Sequence, residues 1–88
     1  MALTDEQAET VVRRAIRGAG GSKGPHHPTK TLDEAGLIRS EQRQDFRRRT
    51  KPETLVFNHD LDIRFVPFSA STTVAQASEA VRENATPR

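Results

Sequence analysis

The chain has 88 residues, enough for one small domain, and its 18 Leu, Ile, Val and Phe residues make up about one fifth of it, so the core is small. Fourteen Lys and Arg against twelve Asp and Glu give a net charge of +2, which excludes a polyelectrolyte, although the pI is about 9.7. No apolar run is long enough for a membrane span, MALTDEQAET lacks the parts of a secretory signal, and zero Cys removes thiolate chemistry, disulfides and Cys-based zinc sites; a cytoplasmic protein is expected.

The first element opens at Thr4. Its hydroxyl can cap a helix whose third residue, Gln7, reaches back in a capping box, with Asp5 and Glu6 at the positive end of the dipole. Ala8, Val11, Val12, Ala15, Ile16 and Ala19 then fall on one helical stripe, with Arg13, Arg14 and Arg17 off it or at its edge. Gly18 signals the stop, and the run to Pro28, with four Gly and two Pro, reads as a flexible loop over 18–30. Thr31 and Glu34 form a second capping box leading to a turn at Gly36, after which Leu37 and Ile38 dock beside Leu32.

From Ser40, a plausible N-cap, to Thr50 the residues favour a helix, yet Phe46 is its only large apolar side chain, so a largely solvated helix is expected. Thr50 and Glu53 bracket Pro52 and suggest a restart. Leu61, Ile63 and Phe65 alternate with Asp62 and Arg64 in a strand pattern, and Asn58 to Asp60 can turn a hairpin, although a helix end with an extended loop fits the same letters. Thr73 and Gln76 make a last capping box before Val74, Ala77 and Val81, and the tail 85–88 is expected to fray.

This layout resembles an acyl carrier protein. The similarity is carried by Val12 and Ile16, by Leu32-Asp33-Glu34-Ala35-Gly36-Leu37, by Leu61 and Ile63, and by Thr72-Thr73-Val74 with Val81. The resemblance implies a small helical bundle and a phosphopantetheine arm on a serine that opens the second helix. The family's Asp-Ser-Leu falls here on Ile38-Arg39-Ser40, and a guanidinium cannot form the phosphodiester. Ser40 lies one residue late, turned about 100 degrees around a helix. The family's second helix is acidic, whereas residues 39 to 51 carry net +4. A relative without the attached cofactor is therefore expected, with an atypical carrier using Ser40 as the alternative.

The basic segment is the main candidate site. If helical, Arg39, Arg43 and Arg47 repeat every four residues, and Arg48, Arg49 and Lys51 add to a row of donors suited to carboxylates or phosphates. The plainer reading is a solvated helix whose arginine stems cover Phe46. Nucleic acid lacks support from stacking aromatics, since Trp and Tyr are absent, and a membrane surface lacks an apolar face to anchor. An acidic protein partner remains. His26, His27 and His59 with Asp60 or Asp62 show no metal-ligand spacing, GAGGSKG has the wrong order for a phosphate loop and reads as a linker, and no nucleophile with a base can be nominated.

The expected fold class is therefore all-α, a single domain with helices near 5–18, 40–50 and 73–84, and the alternative is α+β with a hairpin at 54–66. The expected core is Val12, Ile16, Leu32, Leu37, Phe46, Leu55, Phe57, Leu61, Ile63, Phe65, Val74 and Val81. The expected function is a monomeric, non-enzymatic interaction module with no cofactor or metal, presenting Arg39, Arg43, Arg47, Arg48, Arg49 and Lys51 to an acidic partner; a weak nucleic-acid binder stands further back.

Overall fold

The computed structural model describes residues 3–22, 26–64 and 68–87. Three helices, α1 (Asp5–Gly18), α2 (Ser40–Phe57) and α3 (Val74–Asn84), are joined by two short strands, β1 (Leu61–Ile63) and β2 (Ala85–Pro87). Helix α1 packs against both α2 and α3. Its capping box forms as the sequence implies: Thr4 Oγ1 accepts from the Gln7 amide at 3.1 Å and Gln7 Oε1 accepts from the Thr4 amide at 3.0 Å. Ala8, Val11, Val12, Ala15 and Ile16 make its buried stripe. At its other end the amides of Ala19, Gly20 and Gly21 return to the carbonyls of Ala15, Arg17 and Ile16, so the last turn is closed by the chain itself.

The segment before α2 is stapled to the start of α3. Leu32 donates to the Thr72 carbonyl and Val74 to the Lys30 carbonyl, both at 2.8 Å, which seats Leu32 and Val74 in the core. Gly36 turns the chain with φ +99, and a Cβ there would lie 3.0 Å from the Ser22 amide nitrogen, so both conformation and space call for glycine.

Helix α2 differs from expectation at both ends. Arg39 rather than Ser40 is the N-cap, its amide bonded to Gln42 Oε1 at 3.1 Å, and Ser40 is the first helical residue. No restart occurs at Pro52, and the helix runs on to Phe57. The reason lies in the face it buries, Phe46, Thr50 and Thr54, spaced four residues apart. The threonine hydroxyls are disposed of locally, Thr50 donating to the Arg47 carbonyl at 2.6 Å and Thr54 to the Thr50 carbonyl at 2.7 Å, so polar residues line the core without an orphaned donor. Pro52 and Arg48, whose carbonyl loses its helical donor, are both exposed, so water can satisfy that carbonyl.

The fold is α+β, and the expected all-α bundle is corrected by the antiparallel pairing of β1 with β2. The α+β alternative fits, but the strand beside Leu61–Ile63 does not come from residues 54–57, which belong to α2; it comes from Ala85–Pro87, in the segment expected to fray. Leu61 and Ile63 face the core and Asp62 faces out, the period of two seen in the sequence. The register pairs Leu61 with Pro87, Asp62 with Thr86 and Ile63 with Ala85. Beyond it, Arg64 donates to the Asn84 carbonyl at 3.2 Å, which makes 64 and 84 a hydrogen-bonded pair; by alternation, Asp62 and Thr86 are the next one. Pro87 then sits where no donor is needed.

The core joins Leu3, Val11, Val12, Ala15, Ile16, Leu32, Leu37, Phe46, Leu61, Ile63, Val74 and Val81 with several alanines. Phe57 and Phe68 are half-buried and pack against it, the Phe68 ring edge-on to Phe46 with centroids 5.2 Å apart. Leu55 is half-buried rather than core, and Phe65 lies outside the described residues.

Candidate functional site

Helix α2 distributes the six basic residues over three sides. Arg43 and Arg47 lie on the flank facing residues 68–70, with Ser40 and Gln44 beside them; together with Phe68, Ser69 and Ala70 they line a cleft of about 250 Å³. Arg43 Nη1 donates to the Leu37 carbonyl at 3.0 Å, which fixes one end of its guanidinium at the cleft wall. Lys51, further along that side, pairs with Asp62 of β1 at 3.5 Å. Arg49 is on the opposite flank, where its Nε donates to Asp45 Oδ2 at 3.0 Å. Arg48 lies on the outer ridge between the flanks, and Arg39 precedes the helix; both are exposed. Of the row Arg39, Arg43 and Arg47 read from the four-residue spacing, Arg43 and Arg47 share one flank of the helix, Arg39 is the extended residue that precedes it, and Arg49 and Lys51 are turned to different neighbours.

The structure adds a group that the sequence reading left aside. A Cβ at Gly18 would lie 2.8 Å from Arg49 Cδ, and Arg14 Nη1 lies 3.8 Å from Glu53 Oε2. Residues 14 and 18 of α1 therefore run against 53 and 49 of α2, an antiparallel pairing. The basic half of α1 thus lies level with residues 49–53 of α2, and the chain after α1 reaches Gln42, which lies 3.4 Å from where a Cβ at Gly20 would be. There Arg13, Arg14 and Arg17, with Thr10 and Ser22, border a concavity of about 260 Å³. Arg13 Nη2 donates to Thr10 Oγ1 at 3.2 Å, and Arg14 sits over the Phe57 ring, 5.9 Å from its centroid. The signal was legible, three arginines at i, i+1 and i+4 off the apolar stripe, but its junction with α2 was not.

Carboxylates near this junction are few and mostly engaged, Asp45 with Arg49 and Glu53 with Arg14. Among the described residues, Arg13, Arg17, Arg39, Arg43 and Arg48 have no carboxylate within ion-pair distance. Several acidic residues lie toward the other end of α1: Asp5, Glu6 and Glu9 are in its first half, Asp5 and Glu9 share a hollow with Glu79 of α3, and Asp5 holds Arg82 at 3.2 Å.

Ser40 is exposed at the start of α2 and borders the cleft of Arg43 and Arg47. The histidines do not converge. His26 contacts the Ser22 carbonyl, His27 Nδ1 accepts from Thr29, and His59 faces Asp60 at 3.9 Å. Among the described residues no group of three or more His, Cys, Asp or Glu is placed to hold a metal ion, and no helix is long and apolar enough to cross a membrane. Lys23 of the glycine run lies outside the described residues. The carboxyl of Glu34 is held below its usual range by the Thr31 backbone amide, then by the Thr31 hydroxyl, which bond its Oε1 at 3.1 Å each. This perturbation belongs to a turn that supports the fold and lies away from the arginines of α2.

No family model, no curated protein and no solved structure matches the chain.

Proposed function

We propose that this protein is a non-enzymatic interaction module that presents the segment 39–51 to an acidic protein partner. The observation that carries this reading is the pair of exposed arginines at α2, Arg39 and Arg48, that have no carboxylate within ion-pair distance among the described residues, together with a cleft walled by Arg43 and Arg47. Guanidinium forks bind carboxylates with two parallel hydrogen bonds, and a cleft of about 250 Å³ admits the end of a Glu or Asp side chain. Nucleic acid is the weaker fit: Phe46 is buried and Phe57 and Phe68 are packed against the core, which leaves these three rings poorly placed to stack on bases.

The test is binding of the full chain to a fluorescent oligoglutamate peptide, followed by anisotropy at about 50 and 200 mM salt. Wild type should bind and lose affinity with salt, and the triple variant R43Q/R47Q/R48Q should lose binding. Because Arg43 also holds the Leu37 carbonyl, the pair R39Q/R48Q, which breaks no ion pair within the described residues, should weaken binding in the same direction. No binding by wild type at low salt refutes the reading.

A second reading follows from the likeness to acyl carrier proteins and from the exposed position of Ser40 at the first residue of α2. An atypical carrier would gain the mass of one phosphopantetheine arm when coexpressed with a phosphopantetheinyl transferase, and S40A would abolish the gain. An unchanged intact mass removes this alternative.

A further inference from the structure

We infer that the docking surface for the acidic partner extends to a second helix, and that Arg13 and Arg17 of α1 form a second carboxylate-binding subsite, across the Arg49–Gly18 seam from the cleft of Arg43 and Arg47. The inference rests on the proposed reading of α2 and extends it to residues outside the 39–51 segment. Two independent features of the fold bring the subsite about. The antiparallel pairing of α1 with α2, fixed where Arg49 lies over Gly18 and where Arg14 meets Glu53, turns the basic half of α1 along the flank of α2 that carries Arg49. The concavity of about 260 Å³ bordered by Thr10, Arg13, Arg14, Arg17 and Ser22 then opens on the α1 side of that seam.

The chemistry of this subsite suits a carboxylate. Arg13 and Arg17 are four residues apart on one face of α1, a like-charge spacing that weakens a helix by itself. Glu53 pairs with Arg14 and Glu9 borders a neighbouring hollow with Arg13, but among the described residues neither Arg13 nor Arg17 has a carboxylate within ion-pair distance. The arginines near the seam already take carboxylates, as Arg49 takes Asp45 and Arg14 takes Glu53, so the local geometry suits that group. Of the peptide carbonyls at the end of α1, which would repel an anion, those of Ala15, Arg17 and Ile16 accept from the amides of Ala19, Gly20 and Gly21. Thr10 and Ser22 place hydroxyls at the rim, where Thr10 Oγ1 orients Arg13.

The occupant is an acidic polypeptide segment with carboxylates spaced to reach both helices at once. Charge complementarity fits such a segment, because among the described residues five arginines, two on α1 and three at α2, have no carboxylate within ion-pair distance. A nucleic-acid strand would satisfy the same charges, and a second copy of this chain could offer its own acidic end around Glu6, Glu9 and Glu79. Both of these are distinguished by the test.

The experiment compares wild type, R13Q/R17Q and R39Q/R48Q for binding to the oligoglutamate peptide, with circular dichroism melting of each to confirm the fold. Gln keeps helix propensity, and none of these four residues makes an ion pair within the described residues, so the variants should melt as wild type does. Each pair should weaken binding by about three- to tenfold and flatten its dependence on salt, and the combined variant should lose roughly the product of the two factors. If R39Q/R48Q weakens binding and R13Q/R17Q binds as wild type does, the α1 subsite is refuted and the α2 reading stands. If wild type itself does not bind, both fall. Tighter binding of an oligouridylate than of the oligoglutamate at equal salt overturns the polypeptide assignment. Sedimentation at low salt showing dimers or chains that R13Q/R17Q abolishes replaces the foreign partner with a second copy.

Discussion

Ending the chain after Asn84 removes β2 and tests the pairing that separates this fold from a helical bundle. Three losses follow from the structure. The alternation set by the Arg64–Asn84 bond makes Asp62 and Thr86 the hydrogen-bonded pair, so two ladder bonds go. The Ala85 amide no longer caps the Val81 carbonyl at the end of α3. Ala85, only 3% exposed, no longer covers the core beside Ile63. At about 0.5–1.5 kcal/mol net for each of the three hydrogen bonds and about 1 kcal/mol for the apolar burial, the truncation costs roughly 2.5–5.5 kcal/mol. For a domain of this size, each kcal/mol moves the melting temperature by about 4–8 °C, so a fall of at least about 10 °C is expected by circular dichroism. A chain ending at Pro87 is the control: it introduces a new terminal carboxylate while keeping the register, and should melt like the full chain. A truncated chain melting within about 2 °C of the full chain would refute the pairing, since even one lost ladder bond with the cap should exceed that.

Two further perturbations address the turn between α1 and α2. Gly36→Ala should cost about 1–3 kcal/mol in urea unfolding, because φ is +99 and the new Cβ meets the Ser22 amide at 3.0 Å and Gly21 Cα at 3.1 Å, both backbone atoms that have little room to yield. Glu34 should titrate by NMR below the ordinary glutamate range, and Thr31→Val should raise it part of the way, since the hydroxyl is lost but the backbone amide bond, the larger cause, stays. The folded pKa is depressed, so this carboxylate contributes stability that is fully present above its unfolded pKa and is lost as pH falls through the folded value.

What could be read from the sequence was local chemistry. Three capping boxes, Thr4 with Gln7, Thr31 with Glu34 and Thr73 with Gln76, form as written because each needs only residues three apart. That Arg43 and Arg47 share a flank was legible for the same reason, since a helix dictates its own faces, whereas Arg39 precedes the helix in an extended conformation. The misses are long-range or compensatory. Nothing in Ala-Thr-Pro announces a strand, and it becomes one because Leu61–Ile63, more than twenty residues earlier, offers an edge. Thr50, Thr54 and Ser78 look like surface residues until their hydroxyls are returned to carbonyls three or four residues back, which turns them into core positions. That same device let α2 bury a continuous face with a single large apolar side chain and pass through Pro52.

The charge pattern follows the same logic, for a net charge of +2 conceals a first helix with two unlike ends. Along α1 alone the change from Asp5, Glu6 and Glu9 to Arg13, Arg14 and Arg17 is visible in the sequence. It extends beyond α1 only because α2 runs antiparallel and brings Arg49 beside the basic half, while α3 lays Glu79 beside the acidic one. Had α2 run parallel, its arginines would have met Asp5 and Glu9 and been neutralised within the chain. The helix orientation therefore decides whether these charges serve internal ion pairs or a partner. Among the described residues, two arginines of α1 and three at α2 have no carboxylate within ion-pair distance, and their field would favour the approach of an anionic group.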